Sequence, residues 1–175
     1  LPKENIIAEP HKRDTALAML VGAQFALSID HDAVIINCAS DHMVTDETEF
    51  LNVMKAANQV AAENKYLVSV GITPNRPATG FGYIKIGQDL KKINHGQNVF
   101  QVENFTEKPN RATAQAFIST GRYFWNANMY VWSAQTLLAA FKEFQPDLYT
   151  RTAHLSNLSH SDFQTALPEI YDKAE

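Results

Sequence analysis

Short runs of apolar and β-branched residues alternate along this chain with longer segments of helical periodicity, and this alternation constrains the fold most strongly. Residues 33–39, AVIINCA, form a continuous apolar run, and residues 46–64 carry apolar side chains at the i, i+3, i+4 spacing of a helix. Alternating strands and helices are typical of βαβ units, because parallel strands need a long crossover between them. The pattern predicts an α/β fold with a mainly parallel sheet flanked by helices.

The same reading places each element. Strands are predicted at residues 5–8, 33–39, 66–72, 99–106 and 127–132, those at 33–39 and 66–72 being of the fully buried kind. Helices are predicted at residues 15–29, 46–64 and 111–120, with Asp14 and Asp46 as N-caps, and the region after Ser133 is predicted to be helices broken at Pro146 and Pro168. The stretch TPNRPATGFGYIKIG, with the polar excursion DLKKINHGQN after it, predicts a small antiparallel insertion.

Length, charge and cysteine use exclude several classes of protein. A chain of 175 residues fits one domain, residues 1–175, and its 15 basic and 19 acidic side chains leave a net charge of −4 with no basic stripe for nucleic acid. The longest nearly apolar stretch, ALAMLVGAQFAL, is too short to span a bilayer, so no membrane partner is expected. The single cysteine, Cys38, is expected to be a buried small hydrophobe in a reduced, cytoplasmic setting.

Polar residues follow several predicted strands, where α/β sheets bind their ligands. Asp41 follows the run at 33–39, and a carboxylate there suits Mg²⁺ bound with substrate phosphates, although it could equally cap a turn or the helix at 46. Glu107 and Lys108 end the strand at 99–106, where they could bind sugar hydroxyls and a phosphate or form an ordinary surface ion pair. The glycines of TGFGYI either let a ligand approach the backbone or bend a hairpin.

Five segments in order carry a more specific signal: EPHKRDTA, SDH, GITPNRPATGFGYI, FTEKP and WNANMYVW. In this order they resemble the nucleotidyltransferase domain of the mannose-1-phosphate guanylyltransferases. The resemblance implies a Rossmann-like, glycosyltransferase-A-like fold and an Mg²⁺-dependent reaction. In that reaction the phosphate oxygen of mannose 1-phosphate attacks the α-phosphorus of GTP, giving GDP-mannose and pyrophosphate. Such chemistry depends on positioning and charge neutralisation more than on a protein nucleophile.

The resemblance also implies roles for residues on the sugar side. Asp41 would hold the metal ion, Glu107 would bind mannose hydroxyls, and Lys108 would bind the phosphate. Gly82 and Asn126 would line the sugar pocket. Asp41 and Lys108 are therefore the expected catalytic residues.

On the nucleotide side the expected set is Glu9, Pro10, Arg13 and Thr15, with Arg13 and Thr15 beside the base or ribose. For Glu9 there is an independent physical argument. Guanine offers adjacent N1–H and N2–H₂ donors, and an ionised carboxylate only accepts hydrogen bonds. A bidentate contact from Glu9 would therefore select guanine over adenine, which lacks that donor pair.

The sequence also departs from the family pattern. Asp14 stands where the family usually has Asn, and Asn128 stands where it usually has Gly, although Asn tolerates positive φ well. The Gly-rich triphosphate loop, the second metal-binding Asp and a carboxyl-terminal extension have no counterpart here. We therefore expect an internal fragment, incomplete at both ends, that is inactive alone and has exposed edges favouring a homodimer. A non-catalytic sugar-nucleotide-binding or regulatory module, and a nucleotidyltransferase for another sugar phosphate, remain alternatives.

Overall fold

The computed structural model describes residues 2–94 and 96–174 and confirms the α/β class, with a sheet flanked by helices. The strands are β1 (Val34–Asn37), β2 (Val68–Ile72), β3 (Tyr83–Asn94), β4 (Gln97–Thr106) and β5 (Tyr123–Ser133). The helices are α1 (Asp14–Ile29), α2 (Glu47–Glu63), α3 (Arg111–Thr120), α4 (Ala134–Phe144), α5 (Pro146–Thr152) and α6 (His160–Asp172), with 3-10 turns at Lys3–Asn5 and Ala153–Asn157.

The strands form one five-stranded sheet in the order β1–β5–β3–β4, with β2 also paired to β5. β3 is antiparallel to both β4 and β5, and β2 is antiparallel to β5. β4 and β5 are therefore parallel to each other, with β3 between them, and α3 provides the crossover that parallel strands require. Antiparallel pairing is therefore more extensive than the predicted insertion. The alternation of strands and helices in the sequence predicts crossovers, but it does not show that β3 lies between the parallel strands β4 and β5.

The chain divides into two compact units. One contains the described residues up to Ile35, residues 64–67, and the described residues from Trp132 onward. Its core is built by α1, α6 and the 3-10 turn between α5 and α6, with Leu17, Leu155 and Phe163 almost completely buried. The other contains residues 36–63 and 68–131, and includes a cluster of Tyr83, Ala114 and Trp125. The single-domain reading of residues 1–175 stays a prediction.

Three strand predictions need correction. Residues 5–8 form no strand; the N–H and C=O of Ala8 pair instead with the side-chain amide of Gln164, at 3.3 and 2.8 Å. β1 and β2 are shorter than predicted and not buried, since Ile36 and Ile72 are 45% and 44% exposed. Cys38 is exposed as well, because β1 ends one residue before it. An apolar run reveals strand propensity, but not whether anything covers the strand.

Two helix predictions are also wrong. Asp14 does not cap α1: it is the first residue of the helix, with φ of 53°, and the capping position belongs to Arg13. Pro168 does not break α6 but lies inside it. The apolar face of α6 continues on both sides of this proline, with Phe163 and Tyr171 fully buried, so core packing outweighs the cost of a proline within a helix.

Several other boundaries agree closely with the sequence, although β5 starts four residues before the strand predicted at 127–132. The predicted helices at 46–64 and 111–120 correspond to α2 and α3, and the predicted break at Pro146 separates α4 from α5. Most of the polar excursion at 89–98 belongs to the β3–β4 hairpin, while His95 lies outside the described residues. Among the described residues, no helix is both long and apolar enough to cross a membrane.

The N-cap of α3 provides a stability test. The side chain of Asn110 accepts a hydrogen bond from the Thr113 N–H at 2.9 Å, which satisfies a donor that the helix leaves unpaired. We expect Asn110→Ala to lower the free energy of unfolding by about 1 kcal/mol. Urea unfolding of the variant measures this loss, and Asn110→Asp, which keeps an acceptor, should retain most of the stability. An unchanged unfolding midpoint in Asn110→Ala would contradict the capping role.

Candidate active site

A cavity of about 470 Å³ lies within the second unit, the one made of residues 36–63 and 68–131. It brings together the three residues that were predicted to hold the sugar, Gly82, Glu107 and Asn126. His42 and the aromatic residues Phe81, Trp125 and Tyr130 also contribute to its walls. Residues separated by up to 88 positions in the sequence therefore converge at one concave site that combines carboxylate, amide and apolar surfaces.

Gly82 lies in close contact with the end of the Glu107 side chain. A Cβ atom at position 82 would lie 2.6 Å from Oε2 of Glu107 and 3.5 Å from Cβ of Asn126. The backbone of Gly82 also holds Asn126, whose N–H donates to the Gly82 carbonyl at 2.8 Å. A residue with any side chain at this position would displace the carboxylate from its place in the cavity.

This contact gives the first prediction for the site. On the expectation from the resemblance that this cavity holds mannose 1-phosphate, Gly82→Ala should weaken its binding about tenfold, because displacing one charged hydrogen-bonding group costs about 1.5 kcal/mol or more. Calorimetry measures the change. Gly22→Ala is the matched control, since a Cβ at Gly22 meets no atom within 4 Å and Gly22 does not line the cavity. Equal affinities of the two variants would show that the close contact at Gly82 has no role in binding.

Glu107 and Lys108 directly follow β4, and their contact leaves both charged groups accessible to a ligand. Their side chains are 69% and 64% exposed, and Nζ of Lys108 lies 3.6 Å from Oε1 of Glu107. An exposed pair of this kind contributes little to stability, at most about 1 kcal/mol. Lys108 has φ of 44°, in the left-handed region, and its N–H donates to the Phe81 carbonyl at 3.2 Å. Backbone strain of this kind is concentrated at ligand-binding sites.

Asn126 is held by a local network that sequence reasoning only partly anticipated. Its Nδ2 donates to the Tyr130 hydroxyl at 3.1 Å, and its Oδ1 accepts from the Asn128 N–H at 3.1 Å. Asn128 has φ of 54°, in the left-handed region that Asn tolerates better than most residues. Sequence reasoning did not pair Tyr130 with Asn126, because the predicted strand at 127–132 left Asn126 outside it, whereas β5 starts at Tyr123 and carries both residues.

An aromatic pair forms the apolar part of the cavity wall. The rings of Phe81 and Trp125 meet edge to face, with centroids 5.1 Å apart. The guanidinium of Arg76 lies over both rings, 5.2 Å from the centroid of Trp125 and 5.7 Å from that of Phe81. Sequence reasoning did not select Arg76 or Phe81. Both residues lie in the segment GITPNRPATGFGYI, which was assigned to the site because of its glycines.

Asp41 lies in an exposed turn after β1, beside His42, which lines the cavity. Its carboxylate makes no hydrogen bond or ion pair with any residue that the structure describes. The capping alternative is answered by Asp46, whose Oδ1 accepts from the Glu49 N–H at 2.9 Å at the start of α2. Within the described ranges, no three His, Cys, Asp or Glu side chains gather as a metal site. The metal-binding role of Asp41 stays a prediction.

The predicted nucleotide-binding residues Glu9, Pro10, Arg13 and Thr15 belong to the first unit, on the segment that leads into α1. Oε1 of Glu9 accepts a hydrogen bond from the hydroxyl of Tyr171 at 2.7 Å. Nε of Arg13 donates to the backbone carbonyl of Tyr171 at 2.9 Å. Burial raises the pKa of Tyr171 above its usual value, and the carboxylate of Glu9 raises it further. Sequence reasoning missed Tyr171, which lies 162 residues from Glu9.

Comparisons with known proteins identify the family to which this chain belongs. The mannose-1-phosphate guanylyltransferase of Klebsiella pneumoniae is 38% identical over 144 residues, covering 82% of this chain and 30% of its own length. That of Sinorhizobium fredii is 35% identical over 173 residues, covering 97% and 33%. The xanthan biosynthesis protein XanB of Xanthomonas campestris is 39% identical over 141 residues, covering 81% and 28%. The chain therefore spans about a third of the length of these curated relatives.

Solved structures show the same similarity in three dimensions. A protein described as a mannose-1-phosphate geranyltransferase, from Thermus thermophilus, matches 97% of this chain and 50% of its own, with a TM-score of 0.75 and 28% identity. A mannose-6-phosphate isomerase from Helicobacter pylori matches 86% of this chain and 54% of its own, with a TM-score of 0.70 and 26% identity. The family profile described as Nucleotidyl transferase matches residues 2–163. The resemblance to the mannose-1-phosphate guanylyltransferases is thus confirmed, and the chain belongs to the nucleotidyl transferase family.

Proposed function

We propose that this chain supplies the guanine- and mannose-recognising parts of an enzyme that transfers GMP from GTP to mannose 1-phosphate. The products are GDP-mannose and pyrophosphate. The observation that carries the proposal is the convergence of Gly82, Glu107 and Asn126 on one cavity. Relatives named mannose-1-phosphate guanylyltransferase, 35–38% identical over most of the chain, support the choice of substrates.

The cavity has the chemistry that a sugar phosphate needs. The exposed carboxylate of Glu107 accepts hydrogen bonds from sugar hydroxyls, and the ammonium of Lys108 lies beside it to pair with a phosphate. Asn126 is fixed by Tyr130 and Asn128, so it meets a hydroxyl without first being ordered. The rings of Phe81 and Trp125 present an apolar wall to the C–H face of the sugar.

On the nucleotide side, the discriminating contact is the one between Glu9 and the base. Both oxygens of an ionised carboxylate accept hydrogen bonds, and guanine presents two neighbouring donors to them. Adenine presents one donor and one acceptor at the corresponding edge, so the same carboxylate meets a lone pair there. Arg13 and Thr15, close to Glu9 in sequence, are proposed to contact the base or ribose.

Mg²⁺ is proposed as the cofactor, with Asp41 as its protein ligand. The exposed, unpartnered carboxylate of Asp41 fits this ion, which commonly takes one or two carboxylates and completes its coordination with water and substrate phosphates. When bound, Mg²⁺ neutralises phosphate charge. Asp41 would hold the ion, and Lys108 would stabilise the phosphate of the sugar; these are the two proposed catalytic residues.

Pyrophosphate release tests the proposed function. The protein encoded by the complete reading frame is incubated with Mg²⁺, mannose 1-phosphate and GTP, UTP or ATP. The proposal predicts release with GTP and mannose 1-phosphate, and much slower release with the other nucleotides or with glucose 1-phosphate. Binding of GDP-mannose without turnover would favour a non-catalytic sugar-nucleotide-binding module. Faster turnover of another sugar phosphate would reassign the substrate.

A further inference from the structure

Helix α6 is joined to the segment of residues 8–13, here called the EP segment, by hydrogen bonds and an ion pair along its length. The first of these is the double contact between Ala8 and the Gln164 side chain. The last is the pair between Nε2 of His11 and Oδ1 of Asp172, at 3.1 Å. Between them lie the contacts of Tyr171, whose hydroxyl meets Glu9 and whose carbonyl meets Arg13. One residue of α6 therefore contacts both charged residues proposed for the nucleotide side.

The Tyr171 side chain is held in place by core packing, whereas the Glu9 side chain is not. The residue is fully buried and belongs to the core cluster that contains Leu17, Phe163 and Leu167. Its ring orientation is therefore determined by packing, and the position of its hydroxyl follows from it. Glu9, by contrast, is solvent-exposed and has three rotatable side-chain bonds. The hydrogen bond of 2.7 Å from the fixed Tyr171 hydroxyl therefore restricts the conformation of the exposed Glu9 carboxylate.

The direction of this hydrogen bond suits a carboxylate that must accept from a ligand. Because burial and the Glu9 carboxylate both raise the pKa of Tyr171, the phenol keeps its proton and acts as the donor. The bond to an ionised carboxylate is charge-assisted and therefore stronger than a neutral one. Each carboxylate oxygen has two lone pairs, so Oε1 remains able to accept from a base while it is held by Tyr171. Orientation is gained without loss of an acceptor.

We propose that Tyr171 is a positioning residue for nucleobase recognition, which holds Glu9 with both carboxylate oxygens oriented toward the paired donors of a guanine. The proposal rests on the proposed function, in which Glu9 reads the base, and adds a determinant of that specificity. Tyr171 lies beyond residues 2–163, the part of the chain that the family profile matches. Without the hydroxyl, the Glu9 side chain must be ordered each time a nucleotide binds. The free energy of that ordering reduces the preference for guanine that the carboxylate provides.

The test is Tyr171→Phe, which removes the hydroxyl and keeps the buried ring. GDP and IDP are the ligands, because IDP lacks only the 2-amino group that a bidentate carboxylate would read. We expect the ratio of the dissociation constants, IDP over GDP, to fall about tenfold in the variant, since a charged hydrogen bond that orients Glu9 is lost. Affinity for IDP should change much less. Tyr149→Phe is the matched control: it is the same change on α5, at a hydroxyl without hydrogen bonds to the described residues, and should keep the wild-type ratio.

The outcomes separate the two claims. A wild type that prefers GDP, with a Tyr171→Phe variant that keeps the full preference, overturns the positioning role and leaves guanine recognition by Glu9 standing. A wild type without preference for GDP over IDP overturns base reading by Glu9, and the positioning role with it. A variant that loses affinity for GDP and IDP by the same factor has lost general structure, which also contradicts the proposal. Only a selective loss for GDP supports it.

Discussion

Under the proposed function, Glu9→Gln is expected to reduce a preference for GDP over ADP about a hundredfold. The substitution replaces one acceptor of the carboxylate with an amide donor, which then faces a donor of guanine. Losing a charge-assisted hydrogen bond and leaving donors opposed costs about 2–3 kcal/mol, roughly 30- to 150-fold in affinity. Toward adenine the amide is better matched than the carboxylate, because it offers one donor and one acceptor. The affinity for ADP should therefore stay the same or rise.

Calorimetric titrations with GDP and ADP measure this preference. Glu143→Gln is the control, because it removes the same charge from an exposed position on α4 within the same unit. It should leave both affinities unchanged if the effect at Glu9 is a specific contact with the base. Equal weakening of GDP and ADP in Glu9→Gln would instead indicate that the carboxylate supports the segment without reading the base.

Glu107→Gln is the second substitution with a large expected effect. The amide keeps the size of the side chain, but it replaces a strong anionic acceptor by a weaker, neutral group. We expect the affinity for mannose 1-phosphate to fall about 30- to 100-fold, which corresponds to the loss of one or two charge-assisted hydrogen bonds to sugar hydroxyls. Inorganic phosphate has no such hydroxyls and should bind no more weakly, since the charge opposing it beside Lys108 is removed.

Glu103→Gln is the matched control, on β4 four residues before Glu107. The Glu103 carboxylate pairs with Lys85 and lies 3.8 Å from Arg122, and the hydrogen bond from Lys85 lowers its pKa. Glu103 does not line the cavity. Its substitution removes the same charge as Glu107→Gln but should leave the affinity for mannose 1-phosphate unchanged. Equal losses of affinity in the two variants would show that Glu107 acts only through its negative charge and not through a specific contact with the sugar.

The sequence predicted much of the cavity because several cavity residues stand at the ends and turns of strands, where the local sequence pattern changes. Glu107 stands where β4 ends and a proline follows, Gly82 stands where β3 begins, and Asn126 lies in a motif with unusual backbone demands. Such residues identify the ends and bends of strands from neighbouring positions alone. Their convergence on one cavity follows from strand pairing, which places β3 between β4 and β5.

What the sequence did not reveal depends on contacts between distant segments. The strand predicted at residues 5–8 is absent because Gln164 satisfies the backbone of Ala8, and nothing near residue 8 indicates that partner. Tyr171 was missed for the same reason, since a tyrosine on an amphipathic helix is most simply read as core. Pro168 was taken as a helix break because the cost of a proline is local, whereas the packing that offsets it is not.

The exposure of Cys38, Ile36 and Ile72 shows a different limit of the sequence. Apolar runs at 33–39 and 66–72 carried the expected strand propensity, and both regions contain strands. Their burial depends on whether another layer covers the sheet at that position, which a run of apolar letters does not encode. Sequence patterns therefore located these elements better than they located the core.

The central claim is that this chain recognises both guanine and mannose, and its binding of GDP-mannose tests that claim most directly. Titration calorimetry in the presence of Mg²⁺ would compare GDP-mannose with ADP-mannose and with GDP-glucose. We predict that GDP-mannose binds at least about tenfold more tightly than either analogue, since ADP-mannose changes the base edge that Glu9 is proposed to read and GDP-glucose inverts one hydroxyl of the sugar. Equal affinities for the three sugar nucleotides would contradict the account.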